Sequence, residues 1–149
     1  MKLQSIEQAL AEQNAAYIQT VGVSMEPMLH ERESTVVLER PHGRLARGDV
    51  ALFRRGDGQL VLHRVIRVRP RDYLIRGDSC LGHEVVPDGM VIGVMKGYYE
   101  HADSPFISRD APQYRRYVRT VALRHVIRRI GRLLALPYRG VRKLIRCFR

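Results

Sequence analysis

Three side chains in this 149-residue sequence have the types needed for nucleophilic acyl transfer. They are Ser24 in Val21-Gly22-Val23-Ser24-Met25-Glu26-Pro27, His63 in Val61-Leu62-His63-Arg64-Val65, and Asp78 in Arg76-Gly77-Asp78. A hydroxyl is a weak nucleophile near neutral pH, so it needs a base within hydrogen-bond reach and a third group that fixes the tautomer and steadies the charge of that base. Ser24, His63 and Asp78 fill those roles in chain order. Taken singly, each has a plainer reading: Ser24 as a turn serine ahead of Pro27, His63 as a buried histidine sharing a strand face with Val61 and Val65, Asp78 as the middle of a Gly-Asp-Ser turn. Taken together with their flanks, they point to a serine peptidase.

The flanks carry a family resemblance. Ser24-Met25-Glu26-Pro27, then Arg47-Gly48-Asp49-Val50 leading into a hydrophobic strand, then His63-Arg64-Val65-Ile66 and Gly77-Asp78, resemble the successive boxes of the S24/S26 peptidases. That superfamily contains the type I signal peptidases and the self-cleaving repressors. The resemblance covers 21–97 and leaves both ends of the chain outside it. The base position holds His63 rather than a lysine, as in the endoplasmic-reticulum-type signal peptidases and their bacterial and archaeal relatives. The resemblance therefore implies a Ser-His mechanism with Asp78 as orienting acid and cleavage after small residues.

Many signal peptidases carry a serine two residues before the nucleophile, and here that position is Gly22, as in the Gly-x-Ser-Met of the repressor branch. The oxyanion would then rest on backbone N–H groups such as those of Ser24 and Met25, and losing one such donor typically costs about two to three orders of magnitude in rate. Gly22 and Pro27 read as residues that shape the site, with Pro27 fixing the turn and Met25 filling the space beneath it. Cys80 reads as a small side chain lining the site. His30 and His83 fall outside the boxes, and no Cys/His spacing suggests zinc. No metal and no cofactor are expected.

These residues have to be positioned by short strands. Segments 17–23, 35–39, 50–53, 60–68, 73–76 and 90–98 read as strands, with Arg55-Gly56-Asp57-Gly58 as a hairpin turn and the first segment delivering Ser24. Six strands without intervening helices predict a mainly β fold, a small antiparallel barrel-like domain. Leu3, Ile6, Ala9 and Leu10 recur at helical spacing after or around Ser5, so a short N-terminal helix is expected. The predicted organisation is a helix and lead-in strand over 1–20, a peptidase β-domain over 21–103, a linker over 104–112 between Pro105 and Pro112, and a basic amphipathic helical tail over 113–149.

The charge of the chain is segregated. Net charge is +11, yet all twelve Lys and Arg of 113–149 stand there without an acidic residue, while the rest holds 14 basic and 15 acidic residues. Val126, Ile127, Ile130, Leu133 and Leu134 fall on one helical face, and Arg124, Arg128, Arg129 and Arg132 on the other. Pro137 is expected to break the helix. A second piece repeats the pattern, with Val141, Leu144, Ile145 and Phe148 opposed by Arg142, Lys143, Arg146 and Arg149. Such a segment suits an anionic membrane surface or a partner protein, and the competing reading packs its apolar face on the domain itself. With few aromatics for stacking and no DNA-reading motif, nucleic acid is disfavoured as a partner.

At 149 residues and 45% hydrophobic content, one domain with a real core is expected. No stretch approaches the ~18–20 consecutive apolar residues of a transmembrane helix. Glu7, Gln8, Glu12, Gln13 and Asn14 interrupt any signal-peptide core, so residence in the cytoplasm or peripherally at a membrane is expected. The functional expectation is a serine endopeptidase, signal peptidase-like, that cuts an extended precursor or leader peptide through a Ser24-His63 acyl-enzyme. The alternative is a non-catalytic peptide-binding or membrane-adaptor module on the same fold. A self-cleaving regulator is disfavoured, since no DNA-binding domain precedes the β-domain.

Overall fold

The computed structural model describes the backbone of residues 5–145 and the side chains of that span except 128, 129 and 131–145. The first helix, α1 (Ile6–Gln13), begins where the Ser5 hydroxyl accepts the Gln8 N–H at 3.1 Å and ends on Asn14 in the left-handed region at φ 53°. A serine N-cap and an asparagine C-cap satisfy backbone groups that a helix of two turns leaves open at both ends. The buried Leu10 sits over Gly93, where an added Cβ would approach its Cδ1 to 3.2 Å.

Eight strands follow: β1 (Ala16–Gln19), β2 (Thr35–Glu39), β3 (Val50–Arg54), β4 (Leu60–Val68), β5 (Asp72–Arg76), β6 (Glu84–Pro87), β7 (Val91–Tyr99) and β8 (Ile107–Ser108). They form one antiparallel half-barrel sheet in the order β1-β2-β7-β3-β4-β5-β6, with β8 added to β7. The hairpins β3-β4, β4-β5 and β5-β6 join neighbours in sequence, whereas β7 returns to lie between β2 and β3. That insertion joins β1 and β2 to the hairpin series. It sets the Ser24 segment, which follows β1, in the same unit as β4 and β5.

The β3-β4 turn forms as its residues dictate. Gly58 takes φ 87°, its N–H donates to the Arg55 carbonyl at 2.9 Å, and Asp57 accepts the Gln59 N–H at 2.9 Å. One core packs Leu45, Ala51, Phe53, Val65, Tyr73, Ile75, Val86 and Val94 together. Val50, Ala51, Leu52 and Phe53 in β3 are all buried, so this central strand is covered on both faces.

Several boundaries differ from the sequence expectation. The first strand stops at Gln19 rather than continuing to 23, because the Thr20 hydroxyl donates to the His30 carbonyl at 2.6 Å and Gly22 turns the chain at φ 86°. The short β6 was not anticipated, since Val85-Val86 is bounded by Pro87 and gives almost no alternation. β8 lies inside the expected linker. The last helix, α2 (Pro112–Ile145), runs without interruption, so Pro137 does not end it as expected. A proline removes one intrahelical hydrogen bond, and here the turns on either side keep the helical course. The side chains of Arg128, Arg129, Arg132, Arg142 and Lys143 lie outside the described set, as does Arg146 altogether. Residues 1–114 and 115–149 form two compact units.

Candidate active site

Ser24 is presented by a tight turn, not by a strand end. The Glu26 N–H donates to the Val23 carbonyl at 3.2 Å, and the N–H groups of Met28 and Leu29 both donate to the Met25 carbonyl. Met25, Met28 and Leu29 are buried beneath this turn, which anchors it while leaving Ser24 half-buried. Val21 and Val23 stand exposed on its outer side. The bonds that close the turn do not draw on the N–H groups of Ser24 and Met25, the two expected at an oxyanion. Gly22, further up, donates to the Glu31 carboxylate at 3.0 Å. The Glu26-Pro27 peptide is cis.

His63 comes from the middle of β4, opposite Ala51 of β3, and its ring packs against Phe53 with centroids 6.2 Å apart. It is buried. Its Nδ1 lies 3.4 Å from Glu84 Oε1, longer than a normal hydrogen bond, and makes no hydrogen bond among the described residues. The contact is an electrostatic one. Glu84 belongs to β6, brought there by the pairing of Ile75 with Glu84. Arg55, from the β3-β4 turn, donates to both oxygens of Glu84, Nε to Oε2 at 2.7 Å and Nη2 to Oε1 at 2.6 Å.

Several influences act on the charge of His63. Burial is the largest influence and disfavours the imidazolium; the nearby Glu84 charge pulls the other way, and Arg55 again opposes the charged form. The net direction is down from the ordinary histidine value. Glu84 is itself held below the usual carboxylate range, first by its hydrogen bond from Arg55. A neutral imidazole near pH 7 is the form a general base needs.

Asp78, expected as the orienting acid, is gripped by the neighbouring strand's Arg64. Both of its oxygens take hydrogen bonds from Arg64, Nε to Oδ1 and Nη2 to Oδ2, each at 2.7 Å. Arg64 also donates to the Gly48 carbonyl and the Tyr114 hydroxyl, both at 2.8 Å, and its Nη2 reaches Met28 Sδ at 3.2 Å. Burial acts most strongly on this guanidinium and against its charge, but the bonds to Asp78 and Tyr114 more than offset it, and its pKa is raised. The carboxylate beside His63 Nδ1 is Glu84. Next to Asp78 in sequence, Ser79 donates its N–H to the Ser24 carbonyl at 3.0 Å and its hydroxyl to the Val23 carbonyl at 2.8 Å.

Gly77 marks where these segments converge. A Cβ there would come within 2.6 Å of the Ser24 carbonyl oxygen, 2.8 Å of Cys80 Sγ and 3.1 Å of His63 Nε2. The imidazole thus turns Nε2 toward the Ser24 main chain and Nδ1 toward Glu84. Ser24, Met25, Gly22, His63 and Cys80 line one cavity of about 480 Å³, walled also by Arg55, Gln59, Leu60, Val61 and Leu62 of the hairpin and by residues 18–21 at and just beyond the end of β1. Among the described residues the Ser24 and His63 side chains are not hydrogen-bonded to one another. Pro27 shapes the turn from outside the cavity lining.

The arrangement places a hydroxyl and an imidazole on the lining of one cavity. Sequence reasoning missed Glu84 and Arg55. Arg55 was visible only as a turn residue, and Glu84 reaches His63 through strand pairing that leaves no local signal. No family model matches the chain, and no curated protein matches it significantly.

Proposed function

We propose that this protein is a serine endopeptidase, similar in its site to the S24/S26 peptidases of the signal-peptidase-like branch, acting on an extended precursor or leader peptide. The observation that carries the reading is the convergence on Gly77 of the Ser24 main chain and the Nε2 of a buried histidine, within one cavity.

In this mechanism the Ser24 Oγ attacks the scissile carbonyl carbon while His63 Nε2 takes its proton. The oxyanion forms beside the turn, where the N–H groups of Ser24 and Met25 are the donors. Collapse of the tetrahedral adduct breaks the C–N bond, and the imidazolium gives its proton to the departing amine. Water then attacks the acyl-enzyme, with His63 again as base and Ser24 restored as leaving group. Substrate backbone would run beside the exposed 21–23 segment as an added strand.

Purified protein and its Ser24→Ala variant, incubated with a diverse peptide library and read by mass spectrometry, test this. Cuts that depend on Ser24, together with labelling of Ser24 by a fluorophosphonate, are expected. The second reading, a peptide-binding module without catalysis, draws on the unbonded state of Ser24 and His63. Retained peptide binding with neither cuts nor labelling would establish it.

For the tail we infer peripheral contact with an anionic membrane. Among the described residues no helix is long and apolar enough to cross a membrane. On α2, Leu123, Val126, Ile127 and Ile130 are each at least 50% exposed and fall within about 100° on the helix at 100° per residue. They lie in a stretch with twelve basic and no acidic residues. Each basic side chain near anionic headgroups contributes about 1 kcal/mol. Co-sedimentation with phosphatidylglycerol vesicles, lost in phosphatidylcholine alone and weakened by Ile127→Asp, is expected. Equal behaviour with both lipids overturns the assignment and leaves the face to an acidic protein partner.

A further inference from the structure

We propose that Arg55 and Glu84 form a positioning pair for His63: Arg55 grips both oxygens of Glu84 and holds one of them against Nδ1, so that Nε2 faces the Ser24 side of the cavity. The kinetic part of this inference rests on the peptidase reading; the structural part does not.

The pair joins the β3-β4 turn directly to β6, two strands from β4 in the sheet. Arg55 lies in the β3-β4 turn, where its N–H donates to the Gln59 carbonyl at 2.8 Å and its Nη1 to the Gln59 side chain at 2.6 Å. Arg55 and Gln59 both line the cavity. Glu84 lies at the start of the edge strand β6, with no strand on its outer side in the sheet order. A lone carboxylate on such a short edge would have several rotamers open to it. Two charge-assisted hydrogen bonds in a planar fork remove that freedom. The wall that would contact substrate is therefore linked, through one salt bridge, to the group beside the base.

The charges around the ring come from three elements. Glu84 faces it from β6, Arg55 from the β3-β4 turn, and Asp78 from the loop after β5, the last with both oxygens bonded to Arg64. Cys80, from that same loop, contributes a thiol near the ring on the Nε2 side. Arg55 and Glu84 thus act in opposite senses on His63 protonation. Removing Arg55 leaves a carboxylate uncompensated beside Nδ1 and favours the imidazolium. Removing the Glu84 charge leaves the guanidinium uncompensated and favours the neutral ring.

The test is a pH titration of the His63 imidazole by long-range ¹H–¹⁵N NMR in the full chain carrying Ser24→Ala. Arg55→Gln is expected to raise the His63 midpoint and Glu84→Gln to lower it, each by about half a pH unit or more, with Arg55→Lys between wild type and Arg55→Gln. Shifts in the same direction, or none in either variant, overturn the pairing. Should Arg55→Gln fail to fold, the ring tautomer in the Ser24→Ala chain decides: a proton on Nδ1 supports the arrangement and a proton on Nε2 overturns it. With Ser24 present, the acid limb of kcat/KM is expected to move with the NMR midpoints. Midpoints that shift as stated without any Ser24-dependent cleavage uphold the pair and remove the peptidase reading.

Discussion

Arg64 binds Asp78 side-on through two 2.7 Å hydrogen bonds, in a pair whose side chains are 4% and 1% exposed. Neighbouring positions on β4 therefore serve two tasks, His63 facing the cavity and Arg64 holding the loop that supports it. The loop in turn ties to the Ser24 turn through Ser79. A charge pair buried this deeply is sustained only with its remaining donors satisfied, and Gly48, Tyr114 and Met28 satisfy them.

Asp78→Ala strands a buried guanidinium and is expected to destabilise the protein by about 3–5 kcal/mol. Urea unfolding measures it. Were Asp78 instead the orienting acid of a triad, Asp78→Asn would keep full stability and lose only turnover. The Arg64 pairing requires Asp78→Asn to lose stability as well.

Gly77→Ala would place a methyl 2.6 Å from the Ser24 carbonyl, a backbone atom with no rotamer by which to move aside. Overpacking of this kind costs about 1–3 kcal/mol. Thermal unfolding should show that loss, and, on the peptidase reading, fluorophosphonate labelling of Ser24 should fall further than stability does, since the displaced segment carries Ser24. Unchanged labelling would show that the two loops do not set the position of Ser24.

Ser79→Ala removes one hydrogen bond to the Val23 carbonyl but keeps the N–H bond to the Ser24 carbonyl. The expected stability change is about 1 kcal/mol or less, because Ser79 is exposed and Val23 also accepts from Glu26. A several-fold drop in the rate of Ser24 acylation is expected beside it. The comparison of burst rate with unfolding midpoint separates the two effects.

Acid should weaken both fold and activity through the same residues. His63 has a folded pKa below its ordinary value, so the unfolded chain binds its proton more readily, and stability falls as pH drops below the unfolded value of 6.5 toward the folded one. Glu84 is also lowered, and its contribution is present above 4.5 and lost as pH falls through its folded pKa. Urea midpoints measured from pH 8 to pH 4 should decline across both windows. His63→Gln should flatten the upper window alone. On the peptidase reading, activity is expected to fall as acid protonates His63, with the midpoint below the ordinary histidine value.

What the sequence determined by itself was local. Turn chemistry at Asp57 and Gly58, the Ser5 cap, the β-branched run at Thr35–Glu39 and the long apolar-rich stretch Leu60–Val68 each act within a few residues, so the strands and the mainly β class are legible without coordinates. The segregation of charge at 113–149 is likewise a property of composition. Ser24 and His63 could be nominated because their flanking residues are contiguous with them. What only the tertiary structure decided was which side chains meet. Asp78 follows Gly77 in a loop, and nothing local distinguishes a partner at Arg64 from one at His63. Glu84 reaches Nδ1 because β6 pairs with β5 in the register that sets Glu84 opposite Ile75, and Arg55 reaches Glu84 because a turn two strands away folds over that edge. Strand register is set by long-range hydrogen bonding and burial summed over the whole sheet, and neither quantity is written in the few residues around any one of these groups.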